Sequence, residues 1–194
     1  MKSFHRPEHS WLPVEVFEQL SHEHDKHWQT VEQGGFTEEA LTYMTAQNQA
    51  MLLKFFLEQA FGAGEPFGKT LRIIRRDFGS VEKFAEAWRT EAGKDGADWL
   101  VVGLSFADFR FHLFPIGVNM MPFCISPMMC ACLREEVIAR SGLPRQTFIE
   151  VQWKHIDWLV VEQRIACLEK PLDVLEEAQD CLEGACDTWS AENR

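Results

Sequence analysis

The sequence predicts an α+β fold, in which a helical N-terminal half precedes a mixed half with a small antiparallel sheet. The hydrophobic pattern indicates this order. Before Phe61 apolar residues recur at spacings of three and four, as on one face of a helix, whereas beyond Gly96 they alternate or run continuously, as in strands. A Gly- and Pro-rich break at residues 62–68 separates the two halves.

The N-terminal half predicts two long helices. Pro13 suits the first turn of a helix from about Val14 to Val31, whose apolar face would consist of Val14, Phe17, Leu20, His24, Trp28 and Val31. Residues 34–35 are both glycine and end this helix, and Thr37 opens a second helix that reaches Phe61. Two long helices joined by a short polar turn predict an antiparallel hairpin.

Two shorter helices and a tight corner are predicted after the Gly/Pro break. The helices cover about Lys69–Arg76 and Val81–Ala92. Between them Gly79 is a helix stop and Ser80 is an N-cap residue, which places a corner at this point.

Three strands are predicted next. Trp99–Val102 is a continuous apolar run, as in a buried strand, and Phe109–Leu113 alternates between apolar and polar residues. Ser105–Asp108 is the expected hairpin turn. Met121–Met129 is a candidate third strand, and its two prolines confine it to a sheet edge or a short length.

Helices flank the predicted sheet on the C-terminal side. They cover about Ala131–Ser141 and Gln146–Leu168. From Pro171 the chain is an acidic tail that can form one more helix with the apolar stripe Val174, Leu175, Ala178 and Leu182. Such a helix either covers the core or docks on another subunit.

We therefore divide the chain into three parts. Residues 1–63 form an N-terminal helical hairpin lobe, residues 64–170 a C-terminal α/β lobe, and residues 171–194 an acidic C-terminal helical extension. The pattern shows no internal repeat, and no apolar run has the length of a membrane span.

The charge of the chain argues against extensive nucleic-acid binding. Thirty acidic and nineteen basic side chains give a formal net charge of −11. Binding to phosphate backbones relies on clustered Lys and Arg, and the one basic cluster, Arg72, Arg75 and Arg76, is most simply a solvated helix face. We expect a soluble globular protein whose partners are proteins.

The six cysteines do not predict a disulfide framework or a zinc site. A chain of 194 residues with 46% hydrophobic residues can fill a core without cross-links, and no secretory segment precedes it. Cys130-x-Cys132 and Cys181-x4-Cys186 lack the paired C-x2-C spacing of structural zinc sites. We expect these thiols to be reduced.

One histidine cluster is an alternative metal site. His22, His24 and His27 lie close in sequence, and His24 and His27 are three residues apart, on one face of the first helix. Two histidines alone do not make a site, and Glu23 and Asp25 point elsewhere on the helix. The competing interpretation is that these are ordinary polar or partly buried histidines.

Several ordered motifs are similar to those of the iron/manganese superoxide dismutase family. Arg76–Phe84 resembles the family's R-D-F-G-S-x-x-x-F corner, and Gly96–Val102 resembles its G-S-G-W-x-W-L-V strand. Phe148–Trp158 resembles Y-I-x-A-F-W-N-V-I-N-W, and Lys26–Thr30 resembles K-H-H-Q-T-Y. The likeness spans about Leu12–Leu168. It implies a helical hairpin followed by a mixed lobe with a three-stranded antiparallel sheet.

The resemblance also implies where four metal ligands, three His and one Asp, would lie. The family's P-L-L-x-x-D-x-W-E-H motif falls on Pro127–Glu136, which puts Cys132 at the Asp position and Glu136 at the last His position. The first-helix ligand falls at Glu23. The second-helix ligand falls at Gln49, or at Asn48 with a slip of one residue.

The residues at these positions predict no metal, no cofactor and no catalytic residue. A redox iron or manganese needs several N/O donors around an open position, and no aligned position keeps its family residue type. A replacement metal at Glu23, Gln49, Cys132 and Glu136 is the alternative. A further hypothesis is that Cys132 is a nucleophile. The simpler interpretation is that Cys132 is a small buried residue of the core.

Glu135 is the retained polar residue of the ligand motif. In the family the equivalent Glu reaches across a dimer interface toward a ligand His. Because that His is replaced in this chain, Glu135 either forms a hydrogen bond at an interface or has no role there. The surviving matches, such as Phe84, Trp99, Trp153 and Trp158, are residues that fill a core.

These features predict a catalytically inactive superoxide-dismutase-like protein. It would serve as a structural, protein-binding subunit of a larger assembly, such as the small subunit of the mitochondrial ribosome, where the resemblance implies dismutase-like chains, or a respiratory complex. Its partners would be protein subunits, a second dismutase-like chain among the options. We expect it in mitochondria, with the cytoplasm as the alternative because the N-terminus lacks a clear transit peptide. The competing hypotheses are an active iron/manganese superoxide dismutase with an atypical ligand set and a free homodimeric binding protein.

Overall fold

The structure is a computed structural model that describes residues 4–33, 40–117 and 125–168, without the side chains of residues 40 and 41. Within these ranges the order of elements is two long helices, two shorter helices, three strands and three helices. This order, with a three-stranded antiparallel sheet flanked by helices, confirms the predicted α+β fold.

The N-terminal helices form the expected antiparallel pair. α1 is Val14–Gln33 and α2 is Ala40–Gln59. The start of α1 lies beside the end of α2, since Nε1 of Trp11 donates to the carbonyl of Ala60 at 2.5 Å and the rings of Phe17 and Phe61 are 5.7 Å apart.

The buried face of α1 is rotated from the predicted one. Val16 is buried beside Phe17, Leu20 and His24, whereas Val14 is 44% exposed and Trp28 is 39% exposed. The prediction was wrong at these two positions because it assumed that one face of α1 is buried along the whole length of the helix. Only the part of α1 that meets α2 and the sheet is covered.

The corner between the two short helices is confirmed. α3 is Gly68–Phe78 and α4 is Val81–Ala92. Gly79 has φ +85°, which favours glycine, and Oγ of Ser80 accepts from the amide of Lys83 at 3.2 Å.

The sheet has the order β2-β1-β3 and is antiparallel throughout. β1 is Trp99–Ser105, β2 is Phe111–Ile116 and β3 is Ile125–Cys132. β3, which contains Pro127, is an edge strand, as predicted. Phe109 was predicted to begin the second strand, but it has φ +53° and belongs to the turn.

The last helices are shorter than predicted, and the first of them starts later. α5 is Glu135–Ser141, because β3 continues to Cys132 over residues that the sequence assigned to a helix. The predicted helix Gln146–Leu168 is two helices, α6 (Arg145–Lys154) and α7 (Trp158–Ala166).

Asp157 divides α6 from α7. Its carboxylate accepts from the amides of Leu159 and Val160 as an N-cap, and its own amide donates to the carbonyl of Gln59 at 2.7 Å. The chain passes so close to Gly62 that a Cβ there would lie 2.2 Å from Cα of Asp157. The bend therefore depends on contacts with α2, which helical periodicity does not reveal.

Both faces of β1 are buried. Trp99 and Val101 lie in a core shared with α1 and α2, and we call this the hairpin face of the sheet. Leu100, Val102 and Leu104 lie in a second core formed with residues of α3, α4, α6 and α7, which we call the helical face. Burial on both sides explains the continuous apolar run of this strand.

Some expectations lie outside the described residues or stay untested. The predicted helix after Pro171, Cys181 and Cys186, and the first residues of the predicted third strand lie outside the described ranges. The division of the chain at residues 63/64 and 170/171 stays a prediction. Among the described residues, no helix is both long enough and apolar enough to cross a membrane.

Candidate functional site

The candidate site lies where the C-terminal end of β3 passes into α5, against α1. Cys132 is the last residue of β3, Arg134 precedes α5, and Glu136 lies in its first turn. Glu23 reaches the same place from α1. The fold therefore brings together three of the four residues that the sequence singled out.

A guanidinium group occupies the centre of this site. Nη1 of Arg134 lies 2.5 Å from Oε2 of Glu23, and the same guanidinium lies 2.5 Å from Oε1 of Glu136. The side chains of Arg134 and Glu23 are only 16% and 25% exposed, so water screens their pairing less than it would at the surface. Arg134 pairs with both carboxylates, and its positive charge disfavours a second cation between them.

The electrostatics of Glu23 and Arg134 reflect this pairing. Burial raises the pKa of Glu23, but hydrogen bonds from Arg134 and Gln19 and the charge of Arg134 outweigh it, so the pKa lies below its ordinary value. Burial also lowers the pKa of the neighbouring His27. Glu23 is thus an ionised carboxylate at neutral pH.

The thiol of Cys132 is fully buried beside this ion pair. Burial raises its pKa to about 12; the backbone hydrogen bond and charge of Arg134 act in the opposite direction, and the charges of Glu136 and Glu23 add to the rise. Because the thiolate is the nucleophilic form, a thiol with this pKa is poorly suited to nucleophilic chemistry at neutral pH. This geometry fits the interpretation of Cys132 as a core residue.

Two buried glutamines hold the backbone of β3 at its free edge. Oε1 of Gln152 accepts from the amide of Cys132 at 2.8 Å, and Nε2 donates to its carbonyl at 2.9 Å. Gln59 contacts the amide and carbonyl of Cys130 in the same way. The two side chains therefore replace a fourth strand at this edge.

Arg164 of α7 extends this edge contact. Its guanidinium donates to the carbonyl of Met128 at 2.8 Å and to Oε1 of Gln59 at 3.0 Å, and it lies 4.0 Å from the ring centroid of Phe55. Met128, Cys130 and Cys132 thus have partners on α7, α2 and α6, respectively. The edge strand is covered by side chains from three helices.

Sequence reasoning missed three of these residues. Arg134 falls at the Trp position of the family's ligand motif, but the sequence did not single it out as a site residue, nor Gln59 and Gln152. A usable signal for Arg134 was its place beside two glutamates at 135–136. Nothing in the local sequence pairs either glutamine with β3.

Gln49 and the retained Glu135 take no part in the Arg134 ion pairs. Gln49 is buried on α2, with 3% of its surface exposed. Glu135 has a 79% exposed side chain and pairs with Arg145 at the start of α6. Glu135 therefore faces away from the core.

The described residues do not fit a redox metal centre. Within residues 4–33, 40–117 and 125–168, no group of three or more His, Cys, Asp or Glu side chains could hold a metal ion. At the candidate site both carboxylates, those of Glu23 and Glu136, pair with Arg134. The remaining candidate donor, the thiol of Cys132, is a soft sulfur ligand and not one of the N/O donors that suit a redox iron or manganese centre.

Of the three histidines of the α1 cluster, His24 lines a groove, and none belongs to a metal-binding group among the described residues. Nδ1 of His24 lies 3.1 Å from Oδ1 of Asp25, and its ring lies against Phe4 and Trp28, whereas His22 is exposed. Phe4, His24, Trp28 and Phe61 line a cavity of about 780 Å³ that Glu32, Lys54 and Glu58 border.

The order of helices and the three-stranded sheet are those of the manganese/iron superoxide dismutase fold. Comparisons with known proteins support this relationship, although no family model matches the chain. The chain is 30% identical to the Mn/Fe superoxide dismutase of Rickettsia conorii over 113 residues, which cover 54% of this chain and 51% of that protein.

Two further relatives carry the same kind of name. The chain is 26% identical to the Fe superoxide dismutase of Methanothermobacter thermautotrophicus over 52% of this chain and 51% of that protein. It is 44% identical to the chloroplastic Fe superoxide dismutase 2 of Arabidopsis thaliana over 54 residues, which cover 26% of this chain and 18% of that protein. The chain spans about half the length of the Rickettsia and Methanothermobacter relatives. These matches support the superoxide dismutase family as its origin.

Proposed function

We propose that this chain is a divergent superoxide-dismutase-like protein that has lost the family's metal ligands and its dismutase activity. It serves as a structural, protein-binding subunit of a larger mitochondrial assembly, such as the small subunit of the mitochondrial ribosome or a respiratory complex. Its partners are protein subunits, and a second dismutase-like chain is one of the options.

The observation that carries this proposal is the ion pair of Arg134 with Glu23. The resemblance aligns Glu23 and Glu136 with two ligand histidines, and Arg134 lies within 2.5 Å of both carboxylates. A guanidinium is a permanent cation that forms fixed hydrogen bonds and performs no redox chemistry. It stabilises the junction of α1, β3 and α5 without a metal.

Two features support a protein-binding role: the site offers no reactive thiol, and the packed fold presents a fixed surface. Cys132 is fully buried with a raised pKa, which disfavours nucleophilic chemistry. The two cores and the covered edge of β3 hold a fixed shape, and fold alone does not imply an activity. The acidic charge of the whole chain favours protein contacts over nucleic-acid backbones.

The alternative function is that of an active superoxide dismutase with an atypical ligand set. The specific observation in its favour is that the relatives described above are named as iron or manganese superoxide dismutases. In that case Glu23, Gln49, Cys132 and Glu136 would supply a metal site, and the ion pairs of Arg134 would have to open.

Metal analysis and a dismutase assay on the purified full chain decide between these functions. The protein is expressed with added iron and with added manganese, and the Rickettsia conorii enzyme is prepared in parallel as the control. We expect only traces of metal and no activity in this chain. About one bound equivalent of iron or manganese together with dismutase activity would overturn the proposal.

Native purification tests the structural role and its location. A tagged chain in its own cells should co-purify with a large assembly and fractionate with mitochondria. Isolation as a free homodimer without other proteins would support a free homodimeric binding protein and would contradict the role in an assembly.

A further inference from the structure

The arginines of this chain differ in whether the fold supplies them with an acceptor. Among the described residues, seven guanidinium groups donate to carbonyl, carboxylate or amide oxygens of the chain, namely those of Arg6, Arg76, Arg89, Arg134, Arg140, Arg145 and Arg164. The guanidinium groups of the other three described arginines have no acceptor and no ion-pair partner in this part of the chain: Arg72, Arg75 and Arg110. These three groups are therefore the ones available to a partner.

Two of the three lie on the outer side of α3. Arg72 and Arg75 are exposed and lie three residues apart on this helix, on the side away from the buried Thr70 and Ile74. Side chains at this spacing are neighbours on a helix surface, with about 5–6 Å between their Cβ atoms. The outer side of α3 thus presents two adjacent guanidinium groups.

The third arginine is brought to the same surface by the turn between β1 and β2. Arg76 donates to the carbonyl of Phe109, and the amide of Phe111 donates to Oδ2 of Asp77 at 2.7 Å. Arg110 is exposed and lies between these two anchored residues, beside the C-terminal end of α3. We call the four arginines of this surface the α3 basic face: Arg72, Arg75, Arg76 and Arg110.

Few acidic side chains offset the charge of the α3 basic face. Asp77 pairs with Arg76 at 2.7 Å, and its side chain is only 2% exposed. Asp108 in the turn lies 2.8 Å from Nε2 of His112. Glu82, in the first turn of α4, is an exposed acidic neighbour. The face therefore keeps positive charge on a chain whose formal net charge is −11.

The composition of this surface favours a protein partner over nucleic acid. Its cations are arginines, and Phe106, in the same turn as Arg110, is 42% exposed. Arginine and aromatic residues are enriched in protein interfaces, whereas lysine is depleted. Binding to a phosphate backbone instead uses many cations, and three unpaired guanidinium groups on an acidic chain are few for that purpose.

The chemistry of the guanidinium group indicates what the partner carries. Its planar fork matches a carboxylate, to which it donates two parallel hydrogen bonds. Two carboxylates that are three or four residues apart on a helix have the same spacing as Arg72 and Arg75. An apolar side chain next to them would meet the exposed ring of Phe106.

We propose that the α3 basic face is the surface on which this chain binds an acidic segment of a partner protein. Carboxylates of that segment pair with Arg72, Arg75 and Arg110, and an apolar side chain of the segment packs on Phe106. This inference rests on the proposed protein-binding role, because it names the surface that this role uses and the chemistry of the partner.

Titration of the full chain with a synthetic peptide tests the surface directly. In the peptide, glutamates recur at spacings of three and four residues and leucine supplies an apolar side chain; a second peptide has glutamine in place of every glutamate. Binding is followed at low ionic strength by the NMR shifts of the amides of residues 68–78 and 105–111. We expect binding of the glutamate peptide only, with shifts concentrated in these two ranges.

A pair of charge-reversal variants makes the titration specific. Arg72→Glu/Arg75→Glu reverses two charges of the α3 basic face, and Lys26→Glu/Lys154→Glu reverses two exposed lysines on α1 and α6, so both variants have the same net charge. We expect the first variant to bind the glutamate peptide about tenfold more weakly and the second to bind it as the unsubstituted chain does. Unchanged shifts of the β1 amides show that the fold is intact.

Three outcomes would overturn the inference. The first is that the unsubstituted chain does not bind the glutamate peptide. The second is that the two variants bind it equally. The third is that a uridine homopolymer binds more tightly than the peptide and loses this binding in Arg72→Glu/Arg75→Glu, which would make nucleic acid the partner of this face.

Co-purification separates this inference from the proposed function. Tagged chains of both variants are isolated from the protein's own cells beside the unsubstituted chain. If the unsubstituted chain brings down no assembly, the proposed function fails. If Arg72→Glu/Arg75→Glu recovers the same assembly as the control variant, the proposed function stands and the α3 basic face is not its binding surface.

Discussion

The two faces of the sheet differ in what they bury. On the helical face, Leu100 and Val102 of β1 meet Phe84, Trp88 and other apolar side chains of the surrounding helices. On the hairpin face, Trp99 and Val101 share their core with two cysteines, Cys130 and Cys132. The ion pair of Arg134 with Glu23 borders the hairpin face.

The motifs that resemble the dismutase family divide between these faces. Phe84 of the R-D-F-G-S corner and Trp158 of the last motif belong to the core of the helical face. The residues aligned with metal ligands, by contrast, come from α1, α2 and the end of β3, around the hairpin face. Trp99 and Phe148, which belong to the same motifs, lie in the core of the hairpin face. The residues that match the family's motifs therefore pack on both sides of the sheet.

The largest expected effect is on the helical face. Trp88→Ala removes a side chain that is fully buried against the ring of Trp153, 5.7 Å away between centroids. We expect it to lower the free energy of unfolding by about 3–5 kcal/mol, as large-to-small core substitutions do. Urea denaturation measures this change.

A surface substitution is the control for this prediction. Leu159 is 55% exposed on α7, so Leu159→Ala should change the free energy of unfolding by less than about 0.5 kcal/mol. Equal effects of the two substitutions would show that the helical face is not the stabilising core.

The next effect concerns the edge of β3. Gln152→Leu leaves the amide and the carbonyl of Cys132 without their side-chain partner, and Gln59→Leu does the same to Cys130. Because an unsatisfied buried group costs about 1–3 kcal/mol, each variant should lose about 2–5 kcal/mol of unfolding free energy in a urea titration.

Gln163→Leu provides the same substitution at an exposed position of α7. It should be close to neutral. If Gln152→Leu is equally neutral, water or a shifted strand can satisfy the edge, and the glutamines are not its main support.

The smallest effect is at the candidate site and depends on pH. Arg134→Met removes the partner of Glu23, and we expect a loss of about 1 kcal/mol at neutral pH. The pKa of Glu23 is lowered in the folded state, so its contribution is present above the ordinary value of about 4.3 and is lost as the pH falls through the lower folded pKa. The difference in unfolding free energy between the unsubstituted protein and Arg134→Met should therefore decrease below about pH 4.

Thermal unfolding between neutral and acidic pH measures that difference. Arg72→Met is the matched control, since Arg72 is exposed on α3 and forms no ion pair among the described residues. Its effect should not vary through the same pH range. If the stability difference caused by Arg134→Met does not change with pH, the guanidinium does not stabilise the ionised form of Glu23.

Much of the fold could be predicted from the sequence because the relevant signals are local. Gly79 and Ser80 mark the corner between α3 and α4, and the apolar run from Trp99 identifies a strand buried on both faces. Pro127 of β3 predicted its place at the sheet edge. Each of these features depends on a few residues that are neighbours in sequence and on which of those residues are apolar.

The sequence by itself determined the helical hairpin, the corner and the presence of three strands. Tertiary structure alone decided that Arg134 pairs with Glu23 across 111 residues and Gln59 with Cys130 across 71. It also decided the bend at Asp157, whose amide donates to Gln59 on α2. Periodicity records how strongly a residue avoids water, whereas the partner of a buried polar group depends on which distant segment the fold brings within hydrogen-bond distance.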